Sequence, residues 1–385
     1  MERVAIVRAL RTPIGKFLGG LSTLSAPELG IAVVPALLDG LDLQIDELIF
    51  GCGRQAGSGP NIARQVAVKS GLGEDCVAHT VNMACGSGLK SIALGVEAIR
   101  LGRARAVVAG GTESMSRLPF FLERMRTGYR LGNSELVDGM YRDGFMCPMA
   151  DQLMGRTAET LAEQYEIGRE EQDQFALASQ RKAGLALGDG VFGDEIVPVE
   201  TKKGVVDTDE HVRPDTTLQK LGKLPTIFKE GGTVHAGNSS GITDGACALL
   251  LLPESAVKER GLEPLGWFED YAAAGVDPKV MGIGPVPATR RLLERTGHTL
   301  SDFGLIELNE AFAAQVLACR RELGFDLKRL NVNGGAIALG HPIGCTGARI
   351  VVTLLHAMRR RNVGRGLATL CISGGLGLAA SFTRE

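Results

Sequence analysis

Cys85, His341 and Cys371 each stand in a glycine-rich turn, and two thiols with an imidazole are a set of groups suited to covalent acyl chemistry. Cys85 lies where a β-prone run, Val77 to Asn82, gives way to Ala-Cys-Gly-Ser-Gly and then to an amphipathic helical stretch, Leu89 to Leu101. Such a turn bends sharply and presents its side chain at a helix N-terminus, where free N–H groups and the positive end of the macrodipole favour a thiolate. His341 is flanked by Gly340 and Pro342 just ahead of another helical stretch, which fixes the backbone and denies the ring a regular core slot. Cys371 opens Cys-Ile-Ser-Gly-Gly-Leu-Gly at the end of an apolar strand.

The other cysteines and histidines read differently. Free cysteine is among the most buried residue types, so Cys52, Cys76, Cys247 and Cys319 are expected as inert core filling, with Cys147 and Cys345 structural and near the site wall. His79, His211, His298 and His356 are expected at the surface or in satisfied core positions. His341 and Cys345 have a spacing compatible with metal ligation, but no carboxylate or second imidazole clusters with them, and no metal is expected. Asn309, in Glu307-Leu-Asn-Glu-Ala-Phe, has two compatible readings. It caps a helix from Ala311 with Glu310 in the first turn, or it holds a water or polarises a carbonyl at the sheet edge. Gly51-Cys-Gly-Arg-Gln-Ala is a nominal dinucleotide fingerprint with Asp75 downstream, weakened by the Gly57-Ser-Gly-Pro60 stretch that separates it from its helix.

These turns need a scaffold. Before Gly110 the chain alternates strands near Val4 to Ala9, Leu48 to Cys52, Ala78 to Asn82 and Ala106 to Gly110 with helices near Pro27 to Leu38, Ile62 to Gly71 and Gly88 to Leu101. The pattern returns after Gly245: strands at Ala246 to Leu252, Leu305 to Leu308, Leu367 to Ile372 and Gly377 to Phe382, and helices at Ala288 to Arg295, Ala311 to Leu323 and Gly344 to Arg360. Apolar strands alternating with helices predict an α/β fold with a largely parallel, helix-covered sheet. Cys85-Gly-Ser-Gly plus its helix and strand is echoed by Gly344-Cys-Thr-Gly-Ala-Arg plus its own, which reads as an internal duplication whose glycine turns meet at the strand C-termini. The expected division is residues 1–116 as an N-terminal half, completed by part of 244–265, then 117–243 as an inserted loop domain with one clear helix, Glu171 to Leu185, and 244–385 as a C-terminal half.

With 385 residues, 44% of them hydrophobic, the chain can bury one large core or two medium ones. A formal net charge of -2 and a pI near 6.4 leave no long-range field to draw nucleic acid or an anionic membrane. Eight cysteines without CxxC pairs fit reduced thiols. Met1 to Val7 enters a strand without an apolar leader and no later run is long enough to cross a bilayer, so a soluble cytoplasmic protein is expected.

Val81-Asn-Met-Ala-Cys-Gly-Ser-Gly-Leu, Asn309-Glu-Ala-Phe-Ala, Asn331-Val-Asn-Gly-Gly-Ala-Ile-Ala-Leu-Gly-His-Pro-Ile-Gly-Cys-Thr-Gly and Cys371-Ile-Ser-Gly-Gly-Leu-Gly resemble, in order along essentially the whole chain, the signatures of the thiolase family. The resemblance implies a duplicated thiolase fold, two mixed-sheet halves packed in layers with an inserted loop domain, and acyl-CoA and CoA as substrates without a permanently bound cofactor. It also implies a homodimer or homotetramer, with a β-oxidation partner subunit as a further option. By resemblance Cys85 is the acyl-accepting nucleophile, His341 the base that activates it, and Cys371 the acid/base for the substrate α-carbon. Asn309 positions an oxyanion-hole water beside His341, and the backbone N–H groups of Cys85 and Ser373 form the second hole. Family members usually carry glycine where this chain has Ser373. Ala236-Gly-Asn-Ser-Ser-Gly241 is similar to the pantetheine-contacting stretch, with Ser240 as the contact. Arg213 falls where an arginine packs near the adenine and Lys220 near a phosphate; a solvated surface role stands beside each. Met154 matches the methionine over the acyl pocket, and Phe228 and Phe312 are assigned to the same substrate wall. Leu153 stands where short-chain biosynthetic members often have histidine, which predicts a preference wider than acetoacetyl. The rival readings are a β-ketoacyl synthase, whose Cys-His-His or Cys-His-Asn set lacks the second thiol, and a thiolase-like lipid carrier without turnover.

Overall fold

The computed structural model describes residues 2–385; Met1 lies outside them. Thr243–Pro253 is buried over its whole length, and its side chains divide by alternation. Leu249 and Leu251 join one apolar cluster while Ala248, Leu250 and Leu252 join another, the period-2 consequence of a strand covered on both faces. This strand lies between Val107–Ser114 and Val4–Arg11, so it completes the sheet of the first half although it follows the loop region in sequence.

The sheet runs Val77–Val81, Glu47–Gly51, Val107–Ser114, Thr243–Pro253, Val4–Arg11, and continues through Gly266–Gly275, Leu376–Thr383, Arg365–Ile372 and Leu305–Leu308. The two halves join where residues 4–6 pair with residues 266–268. The expectation of a largely parallel sheet is corrected. Only Glu47–Gly51 with its two neighbours and Leu305–Leu308 with Arg365–Ile372 are parallel, and the central ladders are antiparallel. Continuous apolar strands reflect helices on both faces, and that burial arises here in a mixed sheet.

Helices Ser87–Arg100 and Ile343–Arg361 lie between the inner faces of both halves and share one core with them. Ala26–Leu38 and Ile62–Lys69 cover the outer face of the first half, Pro285–Thr296 and Ala313–Leu323 that of the second. The two inner helices cross at glycine: a Cβ on Gly88 would lie 2.6 Å from Ala348 N and one on Gly347 2.5 Å from Leu89 N. That close approach brings the first turns of both helices together, and with them the two motifs that precede them.

Residues 117–243 hold more helix than expected, since Met154–Gln164 and Leu218–Gly222 accompany Arg169–Gly188. Met154–Gln164 has no side-chain cap and starts Met-Gly-Arg-Thr, but Ala158, Leu161 and Ala162 form a helical stripe that is buried. Gly266–Gly275 also went unread, because Glu269, Asp270 and a run of alanines hide a strand that pairs with Leu376–Thr383 across a bulge. Fully buried Arg11 ties the first strand to the loop region, donating to Glu195 and bidentately to Asp209 at 2.7 to 2.9 Å. No helix among the described residues is long and apolar enough to cross a membrane.

Candidate active site

The Cys85 turn is held by its neighbours. Ala84 adopts φ 45°, a left-handed conformation that side chains disfavour, and Asn82 Oδ1 accepts its N–H at 2.9 Å. Ser87 Oγ accepts from Met83 N at 2.8 Å and donates to the Ala84 carbonyl at 2.6 Å, closing the turn just before the helix. His341 follows Gly340, whose φ of 103° and contact with Thr243, 2.3 Å from a Cβ placed there, admit only glycine. The crossing of the two helices then sets His341 Nε2 3.4 Å from Cys85 Sγ.

The tautomer follows from counting protons. Thr346 Oγ1 lies 2.6 Å from His341 Nδ1 and donates its own proton to the Pro342 carbonyl at 3.0 Å. Nδ1 must therefore be the donor, and Nε2 presents a lone pair to the Cys85 thiol. In Thr346→Val the Nδ1–H loses its acceptor, a penalty of about 1–3 kcal/mol, so acylation of Cys85 by acyl-CoA should slow by roughly 10- to 100-fold, with Thr346→Ser restoring it. Rapid-quench acylation rates check this; an unchanged rate in Thr346→Val contradicts it.

The expected resting thiolate is corrected. Burial raises the Cys85 pKa above its ordinary value, although Arg54 and the backbone N–H groups of Ser373 and Cys85 act in the opposite direction. Burial, with Arg349 and Arg54 nearby, lowers the His341 pKa to about 3. The resting pair is a neutral thiol beside a neutral imidazole, and the proton moves when the sulfur attacks. The unfolded chain protonates this ring near pH 6.5, the folded chain near 3, so stability is full above the first value and falls as pH drops toward the second, by on the order of several kcal/mol. Urea midpoints over that range should fall less steeply in His341→Asn; an identical pH slope contradicts the burial of a neutral ring.

Cys371, buried at the end of Arg365–Ile372, has its pKa pushed well above the ordinary thiol value by burial, and Cys85 adds to the shift. It shares an apolar cluster with Phe312, against which Met154 and Phe228 pack. Ser373 has no positive φ, so serine is carried there without backbone strain. Asn309 is not a helix cap, since the helix begins at Ala313 after Phe312. Its amide Oδ1 and Nδ2 are buried without a protein partner among the described residues, which favours the sheet-edge reading. Glu310 is not in a helical turn either. Its carboxylate accepts from Ser179, Asn331 and the Ile337 N–H and so clamps the segment leading to His341.

Leu153, Met154, Arg213, Lys220, Phe228, Ala236, Ser240, Phe312 and His341 line one cavity of about 440 Å³, together with Tyr141 and Phe145. Lys220 pairs with Asp215 at its exposed edge. The Arg213 N–H is held by Gln180 Oε1 at 2.8 Å. The turn that carries Ala236 is held by buried His235, whose Nε2 meets Asp173 at 2.7 Å while Nδ1 accepts from Gly237 N, and the Ser240 N–H donates to the Ala311 carbonyl at 2.9 Å. The nominal dinucleotide loop is occupied by protein: Glu113 accepts from the N–H groups of Gly53, Arg54 and Gly344 at 2.8 to 3.0 Å, locking it to the His341 helix. Cys345 Sγ lies 3.3 Å from Cys247 Sγ in the core, away from the cavity wall. No three metal-ligating side chains cluster among the described residues. Thr346, Glu113 and His235 escaped the sequence reading, and Glu310 entered it only as a first-turn charge. Of the three that escaped, only Thr346 left a signal, its place one helical turn after Pro342.

Residues 4–255 match the family model "Thiolase, N-terminal domain", and residues 262–384 match "Thiolase, C-terminal domain". The chain is 53% identical to an acetyl-CoA acetyltransferase of Pseudomonas aeruginosa and 51% identical to one of Escherichia coli, each over the full length of both chains. Its structure is similar to the Bacillus anthracis acetyl-CoA acetyltransferase, at TM-score 0.97 and 42% identity, covering 100% of this chain and 99% of that one. It is similar as well to human mitochondrial 3-ketoacyl-CoA thiolase in complex with CoA, at TM-score 0.96 and 41% identity, covering 100% and 98%.

Proposed function

The chain belongs to the thiolase family, and from that premise we propose that it transfers acyl groups between CoA thioesters through Cys85 as a covalent carrier. The observation that carries the reading is the 3.4 Å contact of Cys85 Sγ with the unprotonated Nε2 of His341, a residue of the cavity wall.

In the cleavage direction the Cys85 thiol passes its proton to His341 as sulfur attacks the 3-keto carbon, and the Cys85 and Ser373 N–H groups meet the oxyanion. The C2–C3 bond breaks with its electron pair on the departing acetyl-CoA enolate. His341, now carrying Nε2–H, and a water on the Asn309 amide hold the enolate oxygen while the Cys371 thiol protonates carbon. Incoming CoA gives its proton to the Cys371 thiolate and takes the acyl group, and Cys85 recovers its proton from His341. The reverse sequence joins two acetyl-CoA molecules, with Cys371 as base. A resident cofactor has no step in this scheme, and CoA enters as substrate. On the same reading, residues 117–243 act as the loop domain that covers the acyl chain. Unpaired at the sheet edge, with Val77 exposed, Val77–Val81 supports a homodimer or homotetramer.

Leu153 lies in the cavity wall with Met154, Tyr141 and Phe145. An apolar wall gains about 0.8 kcal/mol per buried CH₂, roughly fourfold per carbon, so kcat/KM should rise with 3-ketoacyl length over the first added carbons, and Leu153→His should flatten that rise. Strong native preference for acetoacetyl-CoA with longer chains rejected contradicts the wider specificity. A CoA-dependent thiolysis assay with acetoacetyl-CoA tests the activity itself: a synthase that loads from a carrier protein, or a lipid carrier without turnover, gives no free acetyl-CoA.

A further inference from the structure

His211, expected at the surface or in a satisfied core position, instead lies in the cavity wall with Ser240 and Arg213. Its Nδ1 is 2.9 Å from the Ala338 carbonyl oxygen. A carbonyl only accepts, so Nδ1 carries the proton and Nε2 is left as an acceptor. Burial holds the ring's pKa below its ordinary value, and the acceptor persists at neutral pH. The Nε2 edge packs over Gly241, where a Cβ would come within 2.0 Å of Nε2, and no group among the described residues donates to that nitrogen. A fixed, partnerless acceptor in a wall that also contains Leu221, Leu224 and Ile242 is suited to an N–H or O–H of a bound molecule. It disfavours phosphate oxygens, which Arg213 two residues on suits instead.

We propose that His211 Nε2 accepts a hydrogen bond from the pantetheine arm of CoA, whose amide N–H and hydroxyl groups distinguish it from the phosphate-bearing nucleotide end. The inference rests on the acyltransferase reading. His211 thereby sets selectivity for the arm, and Arg213 contacts the nucleotide.

Two variants divide the ring. His211→Asn keeps a donor within reach of the Ala338 carbonyl and removes the distal acceptor, whereas His211→Gln extends a carbonyl oxygen toward the Nε2 position. His211→Asn should raise KM for CoA in thiolysis by about 5- to 10-fold, the worth of one neutral hydrogen bond, with kcat within about twofold and an unchanged melting temperature. His211→Gln should recover most of the loss. With pantetheine as acyl acceptor the His211→Asn penalty should persist, whereas Arg213→Ala should weaken CoA alone. An unchanged KM in His211→Asn, a loss in melting temperature that tracks the KM change, or a penalty that vanishes with pantetheine overturns the inference. Absence of thiolysis in the native protein overturns the acyltransferase reading instead.

Discussion

Cys371→Ala will still take an acetyl group from acetyl-CoA onto Cys85, yet it will lose the exchange of acetyl-CoA methyl hydrogens with deuterated water. The two half-reactions use different groups. Acylation needs Cys85, the Nε2 lone pair and the two backbone N–H groups, all of which remain in the variant, and the CoA thiolate is a good enough leaving group to depart without the proton that Cys371 gives it in the native protein. Carbon protonation needs an acid held neutral until an enolate forms beside it, and burial holds the Cys371 thiol in that state. A positioned acid or base is worth about 10²- to 10⁴-fold, so thiolysis and exchange should fall by that factor while acylation changes little. NMR of acetyl-CoA in deuterated buffer gives the exchange rate and intact mass the acylation. Unimpaired exchange assigns the proton to His341 instead.

Cys85→Ala should lower turnover by roughly 10⁴- to 10⁶-fold, the scale on which removing a covalent nucleophile abolishes a concerted site. Among the eight cysteines Cys85 alone has its sulfur against His341 Nε2, so no other thiol, Cys371 included, has that base placed to activate it. The variant should keep its melting temperature, because alanine fits a position where the turn is held by Asn82 and Ser87 rather than by the sulfur. Residual turnover within about tenfold of native would mean that the acyl group travels by another route.

The glycine-bounded motifs were legible because each needs a particular backbone: Gly340 at φ 103° and the Gly88–Gly347 crossing leave no alternative residue, so the turns around Cys85 and His341 stand out in the sequence. The layered helices and most strand positions were legible from apolar periodicity. Strand direction was not. Thr243–Pro253 reads the same in a parallel or an antiparallel ladder, since helices on both faces bury every residue of it. Electrostatics misled at Cys85, where a helix N-terminus argued for a thiolate and desolvation, which depends on everything packed around the sulfur, prevailed. The helix-cap reading of Asn309 failed for a similar reason, since the helix begins four residues later and leaves the buried amide without a protein partner among the described residues. Residues that act by holding others, Glu113, Glu310 and the His235–Asp173 pair, join segments far apart in the chain, and no local pattern announces them.

The most direct test is to mix the native protein with a 3-ketoacyl-CoA in the absence of free CoA, quench within one turnover, and map the acyl group by peptide mass spectrometry while measuring acetyl-CoA released. A stoichiometric burst of acetyl-CoA with the shortened acyl group on Cys85 is the predicted result. Acetyl-CoA released only after CoA is added, or an acyl group carried on any other residue, would contradict transfer through Cys85.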